Sequence, residues 1–147
     1  MNISPHFSLS EFTASQTAVR RGIDNTPSPA ALENIVRTAQ LLESVRELFN
    51  KPIRISSGFR SLNLNRAIGS KDNSQHVRGC AADFTVIGVE LDEVMDCIIV
   101  NKLPYDQLIR EFNSWIHISV PNMPWIAPRR EALIIDKKGA RPWHSPY

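Results

Sequence analysis

The stretch SQHVRGCAADF, residues 74 to 84, sets a histidine, a glycine and an aspartate into a run otherwise suited to burial. Histidine and aspartate are residue types that hold a divalent metal ion. His76 and Asp83 lie seven positions apart, and that spacing decides what the backbone between them must do. On a helix it spans about 10.5 Å, long for two ligands of one ion. On a straight strand an odd separation sends the two side chains to opposite faces. The chain therefore has to bend. Gly79 supplies the permissive residue, so HVRGCAAD reads as a loop or bulge feeding a strand, with both side chains facing one point. A third candidate ligand, His117, lies in WIHISV. Strand alternation there puts Ile116, Ile118 and Val120 on one face and Trp115, His117 and Ser119 on the other.

Two neutral imidazoles and one carboxylate around Zn²⁺ leave a net charge of about +1 and an open fourth position, the arrangement that brings the pKa of a bound water down to about 7. Hydrolysis at such a site needs a further carboxylate that is not a ligand to manage the proton. Glu111 is the candidate. In one straight strand it would sit about 20 Å from His117, but a hairpin turn through Phe112, Asn113 and Ser114 folds it back beside the strand that carries the histidine. The plain alternative for Glu111 is a solvated charge next to a turn. Cys80 follows Gly79 directly and reads either as a small buried residue or as a thiolate beside the metal.

The elements that must position these groups follow from local signals. Ser10 is a cap candidate for a short helical turn, and RRGIDNTPSP reads as a loop. Ser28 and Pro29 then open a long helix whose stripe Leu32, Ile35, Val36, Ala39, Leu42, Val45 and Phe49 is core, ended by NKP. PIRISS is a short strand, Ser61 opens a brief helix ended at Gly69, and AADFTVI is the strand behind the histidine motif. Leu91, Val94, Met95, Ile98 and Ile99 mark a second amphipathic helix, closed by Pro104. DQLIRE and WIHISV form the hairpin, EALIID is a last strand, and the tail from about 137 to 147 reads as irregular.

SGFRS, SQHVRGCAAD and EFNSWIHISV together resemble the zinc peptidase family that includes D-Ala-D-Ala carboxypeptidases, phage endolysins that cut peptidoglycan stems, and the hedgehog signalling domain. The resemblance runs from about Phe7 to about Val120, in the version of small phage-encoded members. The S-x-H-x-x-G-x-A-x-D signature is matched at Ser74, His76, Gly79, Ala81 and Asp83, and a W-x-H follows at Trp115 and His117. The resemblance implies one zinc ion per chain held by His76, Asp83 and His117, with Glu111 as general base. It implies also that Arg60 and Ser74 line the substrate cleft, Arg60 holding a carboxylate or a carbonyl that becomes negative in the transition state; Trp115 is placed with the substrate contacts. Arg60 has a second reading, a structural pair with Asp83. Two positions depart from the family pattern: Phe59 stands where tyrosine is usual, and Trp115 where some members have a second histidine.

Composition bounds the rest. The chain has 147 residues, 42% hydrophobic, 22% charged, with a formal net charge of +2, which suits one globular domain spanning 1 to 147. No block of like charges marks a nucleic-acid partner, and no run of about 18 apolar residues marks a membrane span. The amino terminus lacks the basic-then-apolar pattern of an export leader, so the expectation is a soluble, monomeric chain made in the host cytoplasm, with Cys80 and Cys97 free. The expected fold is α+β: a small, mainly antiparallel sheet with helices packed on one side and the zinc site on the exposed face. The expected function is zinc peptidase acting on bacterial peptidoglycan peptides, either as a lysis enzyme needing a holin or as a virion component. The competing expectation is a zinc-containing wall-binding or protein-binding module without turnover. Glu111 favours the enzyme, since a binding module has no use for a proton carrier beside the metal.

Overall fold

The computed structural model describes residues 1–147. In chain order the elements are β1 (Asn2–Ser4), β2 (Phe7–Ser8), α1 (Leu9–Thr13), α2 (Gln16–Arg21), α3 (Pro29–Phe49), β3 (Ile53–Ser57), α4 (Leu62–Ala67), a 3₁₀ turn (Gln75–Arg78), β4 (Ala81–Val86), α5 (Leu91–Val100), β5 (Gln107–Glu111), β6 (Trp115–Ser119), β7 (Glu131–Asp136) and β8 (Gly139–Pro142).

Helix α3 forms where its signals place it. Ser28 accepts a hydrogen bond from the Ala31 N–H at 3.2 Å, Pro29 needs no partner in the first turn, and Asn50 ends the helix in the left-handed conformation at φ 48°. Its buried stripe is Ala31, Ile35, Thr38, Ala39, Leu41, Leu42 and Val45, one face of a 3.6-residue repeat.

That face lies on a six-stranded sheet ordered β3-β4-β6-β5-β7-β8. Every neighbouring pair is antiparallel except β5 and β7, which run parallel. The chain reaches β7 from β6 through residues 120 to 130, which carry three prolines and pass beyond β5 before pairing on its far side. Alternation then divides the sheet. Ala82, Phe84, Val86, Leu108, Ile116 and Ile118 are buried in one hydrophobic core with Ile35, Leu42 and Val45 of α3 and Val94, Met95 and Ile98 of α5. Each large aliphatic or aromatic side chain taken fully out of water there contributes about 1.5–3 kcal/mol. The opposite face carries Asp83, His117 and Glu111. A separate two-stranded sheet, β1 with β2, packs beside α3.

Several local expectations need correction. The tail is not wholly irregular: Asp136 pairs with Gly139 across a two-residue turn, and β8 runs back along β7. Gly139 takes φ 95° there, a conformation open to glycine. Ser8, rather than Ser10, opens α1, through a capping box with Glu11. The stretch assigned to a loop from Arg20 begins inside α2, which Ser15 caps and Gly22 ends. The face opposite the helices is also less open than strand alternation alone suggests. At its centre His76, Asp83 and His117 are only 3%, 6% and 8% exposed.

Candidate metal centre

The bend between His76 and Asp83 is a single 3₁₀ turn. Ser74 opens it, its hydroxyl accepting from the His76 N–H at 3.3 Å. Gly79 closes it at φ 78°. Glycine is required there twice over. A side chain would be strained at that φ, and a Cβ would lie 2.6 Å from the Ala31 carbonyl oxygen and 2.9 Å from Ile35 Cγ1. The Thr38 hydroxyl donates to the Gly79 carbonyl at 2.8 Å, so the turn is fixed on α3. Two residues later β4 begins, and its alternation points Asp83 away from the core. On β6 His117 is the residue directly opposite Asp83, as close as cross-strand side chains come.

The three groups converge. Asp83 Oδ1 lies 3.3 Å from His76 Nε2 and 3.1 Å from His117 Nδ1, and one ligating atom from each residue lies within 4.8 Å of the others. Donor atoms about 2.0–2.1 Å from a tetrahedral zinc stand about 3.3 Å apart, so the spacing suits that ion. The outer contacts suit it too. His76 Nδ1 lies 2.7 Å from the Gly58 carbonyl. A proton held there leaves the Nε2 lone pair facing the other two groups. Burial keeps the His76 imidazole neutral below its ordinary range, against the pull of Asp83. Burial works against an ionised Asp83, yet the two imidazoles outweigh it and hold its carboxyl well below the usual carboxylate range. Neutral imidazoles with an ionised carboxylate are the forms that bind a metal.

The hairpin brings in Glu111. It pairs with Trp115 across β5 and β6, and Phe112 and Asn113 both take positive φ in the turn. Glu111 Oε1 stands 3.9 Å from His117 Nδ1, while Oε2 accepts a hydrogen bond from the Trp115 indole N–H at 3.1 Å. Burial, then the charge of Asp83, raises the Glu111 carboxyl above its ordinary value, as suits a group that both takes and returns a proton. A buried His-Asp-His set with a second carboxylate beside it, its pKa raised, is the arrangement of a zinc hydrolase.

A family model described as Peptidase M15 matches residues 5–119. The chain belongs to the Peptidase M15 family. This M15 family member is therefore a metallopeptidase of a zinc-dependent family that acts on peptidoglycan-related substrates. Comparison with curated proteins returned no match. All three candidate ligands and Glu111 fall inside the matched span, whereas β7 and β8 lie beyond it.

The remaining sequence candidates are placed differently from one another. Arg60 is mostly buried and held on three sides: Nε donates to Ser57 Oγ at 3.2 Å, Nη1 donates to Asn65 Oδ1 at 3.0 Å, and Nη2 lies 3.7 Å from Asp83 Oδ2. The structural pairing with Asp83 is thus formed, and only Nη2 is left without a hydrogen bond. Ser74 lines a cleft of about 510 Å³ that reaches Glu111 and His117. Trp115 turns its N–H onto Glu111 and is not part of that lining. Phe59, where tyrosine is usual, is buried in the core. Cys80 is a free, fully buried thiol whose pKa burial raises, as for a packing residue.

The structure adds groups that motif reasoning missed. Asn25 fixes the segment carrying Arg60, donating to the Thr13 and Phe59 carbonyls at 2.8 and 3.1 Å and accepting from the Ser61 N–H at 2.7 Å. Gln75 Nε2 lies 3.1 Å from Asp106 Oδ2, tying the histidine turn to the far wall of the cleft, where Asp106 holds Arg129. No spacing signal links residues 75, 106 and 129; Asn25 could have been suspected only as an asparagine in a turn-rich loop.

Proposed function

We propose that this chain hydrolyses peptide bonds in the stem peptides or cross-links of bacterial peptidoglycan, as a lysis enzyme or a virion-associated one. One ion per chain would be held by His76, Asp83 and His117. When bound, zinc supplies Lewis acidity, polarising a carbonyl and acidifying water. Glu111 Oε1 takes the proton of the attacking water and passes it to the leaving amine; the raised affinity of its carboxyl for protons suits both transfers. Trp115 aims that carboxylate by holding Oε2. Arg60, through the Nη2 that has no hydrogen bond, stabilises negative charge on the substrate oxygen. Ser74 lines the path the peptide takes.

The observation that carries this reading is a carboxylate that belongs to no ion pair with Lys or Arg, half-buried beside the ligand set and aimed by a dedicated hydrogen bond. Its test is Glu111→Gln, which keeps shape and removes the base. The variant should retain one zinc per chain by elemental analysis and lose about 10²–10⁴-fold in peptidoglycan hydrolysis. Native turnover in that variant would remove Glu111 from the mechanism.

A further inference from the structure

The cleft that starts at Glu111 and His117 runs along the outward face of β5, past Ile109 and Gln107, and ends at Arg129. Arg129 is the only lining residue with a permanent positive charge, and it is held in a fixed orientation. Asp106, 4% exposed, accepts from the Arg129 backbone N–H at 3.0 Å, from Nε at 3.1 Å to both carboxylate oxygens, and from Nη2 at 2.8 Å. Gln75 Nε2 and Asn122 Oδ1, 3.0 Å apart, close the same wall. These contacts use the Nε–Nη2 edge of the guanidinium. The Nη1–Nη2 edge is left over: Nη1 has no partner in the chain, and the side chain is 55% exposed. A planar guanidinium fixed along one edge presents the other as a fork suited to a second carboxylate. Gln107, between Arg129 and the reaction centre, is turned onto Glu131 at 2.6 Å, and the Glu131 carboxylate acts on Arg129 through its charge without a hydrogen bond to the guanidinium.

We propose that Arg129, oriented by Asp106, is a specificity-determining residue that binds a free carboxylate of the peptide substrate at the end of the cleft remote from the metal site. The assignment rests on the peptidase reading for its substrate class, and on the cleft geometry alone for the anion. Five strand positions separate Glu111 from Asp106, about 16 Å of backbone. Less the reach of the arginine, that places the carboxylate about three extended residues from the bond cleaved. In a stem peptide with lysine at its third position, the synthetic probe used below, two groups carry that chemistry: the C-terminal carboxylate and the α-carboxylate of a γ-linked glutamate.

The test uses the zinc-loaded full chain carrying Glu111→Gln to suppress turnover, with calorimetric binding of a synthetic stem peptide and of two analogues, one amidated at each carboxylate. One amidation should weaken binding about tenfold, as for a charge-assisted hydrogen bond at a partly exposed site, and the carboxylate concerned is the one bound. Adding Arg129→Gln should bring the ratio of free to amidated peptide to about one, and Arg129→Lys should restore part of it. Arg129→Gln must still bind the amidated peptide as the parent protein does, which a general loss of fold would abolish, so the ratio of about one is not imitated by unfolding. Equal affinity for all three peptides, absence of binding, or a preference that survives Arg129→Gln overturns the assignment. The native chain is assayed for hydrolysis of the same peptide in parallel: preference without cleavage would fail the peptidase reading and leave Arg129 standing as an anion site.

Discussion

Trp115→Phe removes one donor, the indole N–H that lies 3.1 Å from Glu111 Oε2, and keeps an aromatic ring on the strand. A hydrogen bond to a charged group contributes about 1.5–3 kcal/mol. The Glu111 side chain is 20% exposed, so partial screening places this one near the lower end, about 1.4 kcal/mol or one pKa unit. The sign follows from which form the bond favours. The indole stabilises the ionised carboxylate, which burial and Asp83 already push toward protonation, so its loss raises the pKa further. The general base works ionised. The acid limb of kcat/KM against pH should therefore move about one unit to higher pH. Below that limb the variant should be about tenfold slower, and above it the native rate should return. The assay is hydrolysis of a soluble stem peptide across the acid range, with zinc content checked at each pH. A stationary limb, or an equal loss at every pH, would refute the reasoning and assign Trp115 to substrate contact.

His76→Ala and His117→Ala should each lose zinc on dialysis, read by elemental analysis, and lose the thermal stabilisation that added zinc gives the native chain; full metal content in either would remove that residue from the ligand set. Gly79→Ala puts a Cβ 2.6 Å from a helix carbonyl at φ 78°. Strain and overpacking together should cost about 2–5 kcal/mol and lower the Tm of the zinc-free chain by about 10 °C; an unchanged Tm would mean that α3 yields at that point.

The ligand set was legible because it depends on local rules. The odd separation of His76 and Asp83 forces a bend at Gly79, and strand alternation in WIHISV sets His117 apart from Ile116 and Ile118. The hairpin at Phe112–Ser114 followed from turn chemistry and carried Glu111 with it. What escaped has weak local signals or long-range causes. Helix α2 is one turn and a half with one buried residue, Ala18, so no apolar stripe marks it. All four residues of β8 are exposed, so its pairing with β7 leaves no alternation to read. The parallel register of β5 and β7 depends on where a proline-rich connection returns the chain. Asp106 and Arg129 meet across 23 positions only through that return.

The central claim, that His76, Asp83 and His117 hold the zinc of a peptidoglycan peptidase, is tested most directly on the wall itself. Purified chain, as isolated, after chelation, and after zinc is restored, would be incubated with Gram-negative peptidoglycan and the released termini identified by mass spectrometry. New amino and carboxyl termini at one peptide bond, absent after chelation and recovered with zinc, are the predicted result. Zinc bound in full with no new termini would contradict it.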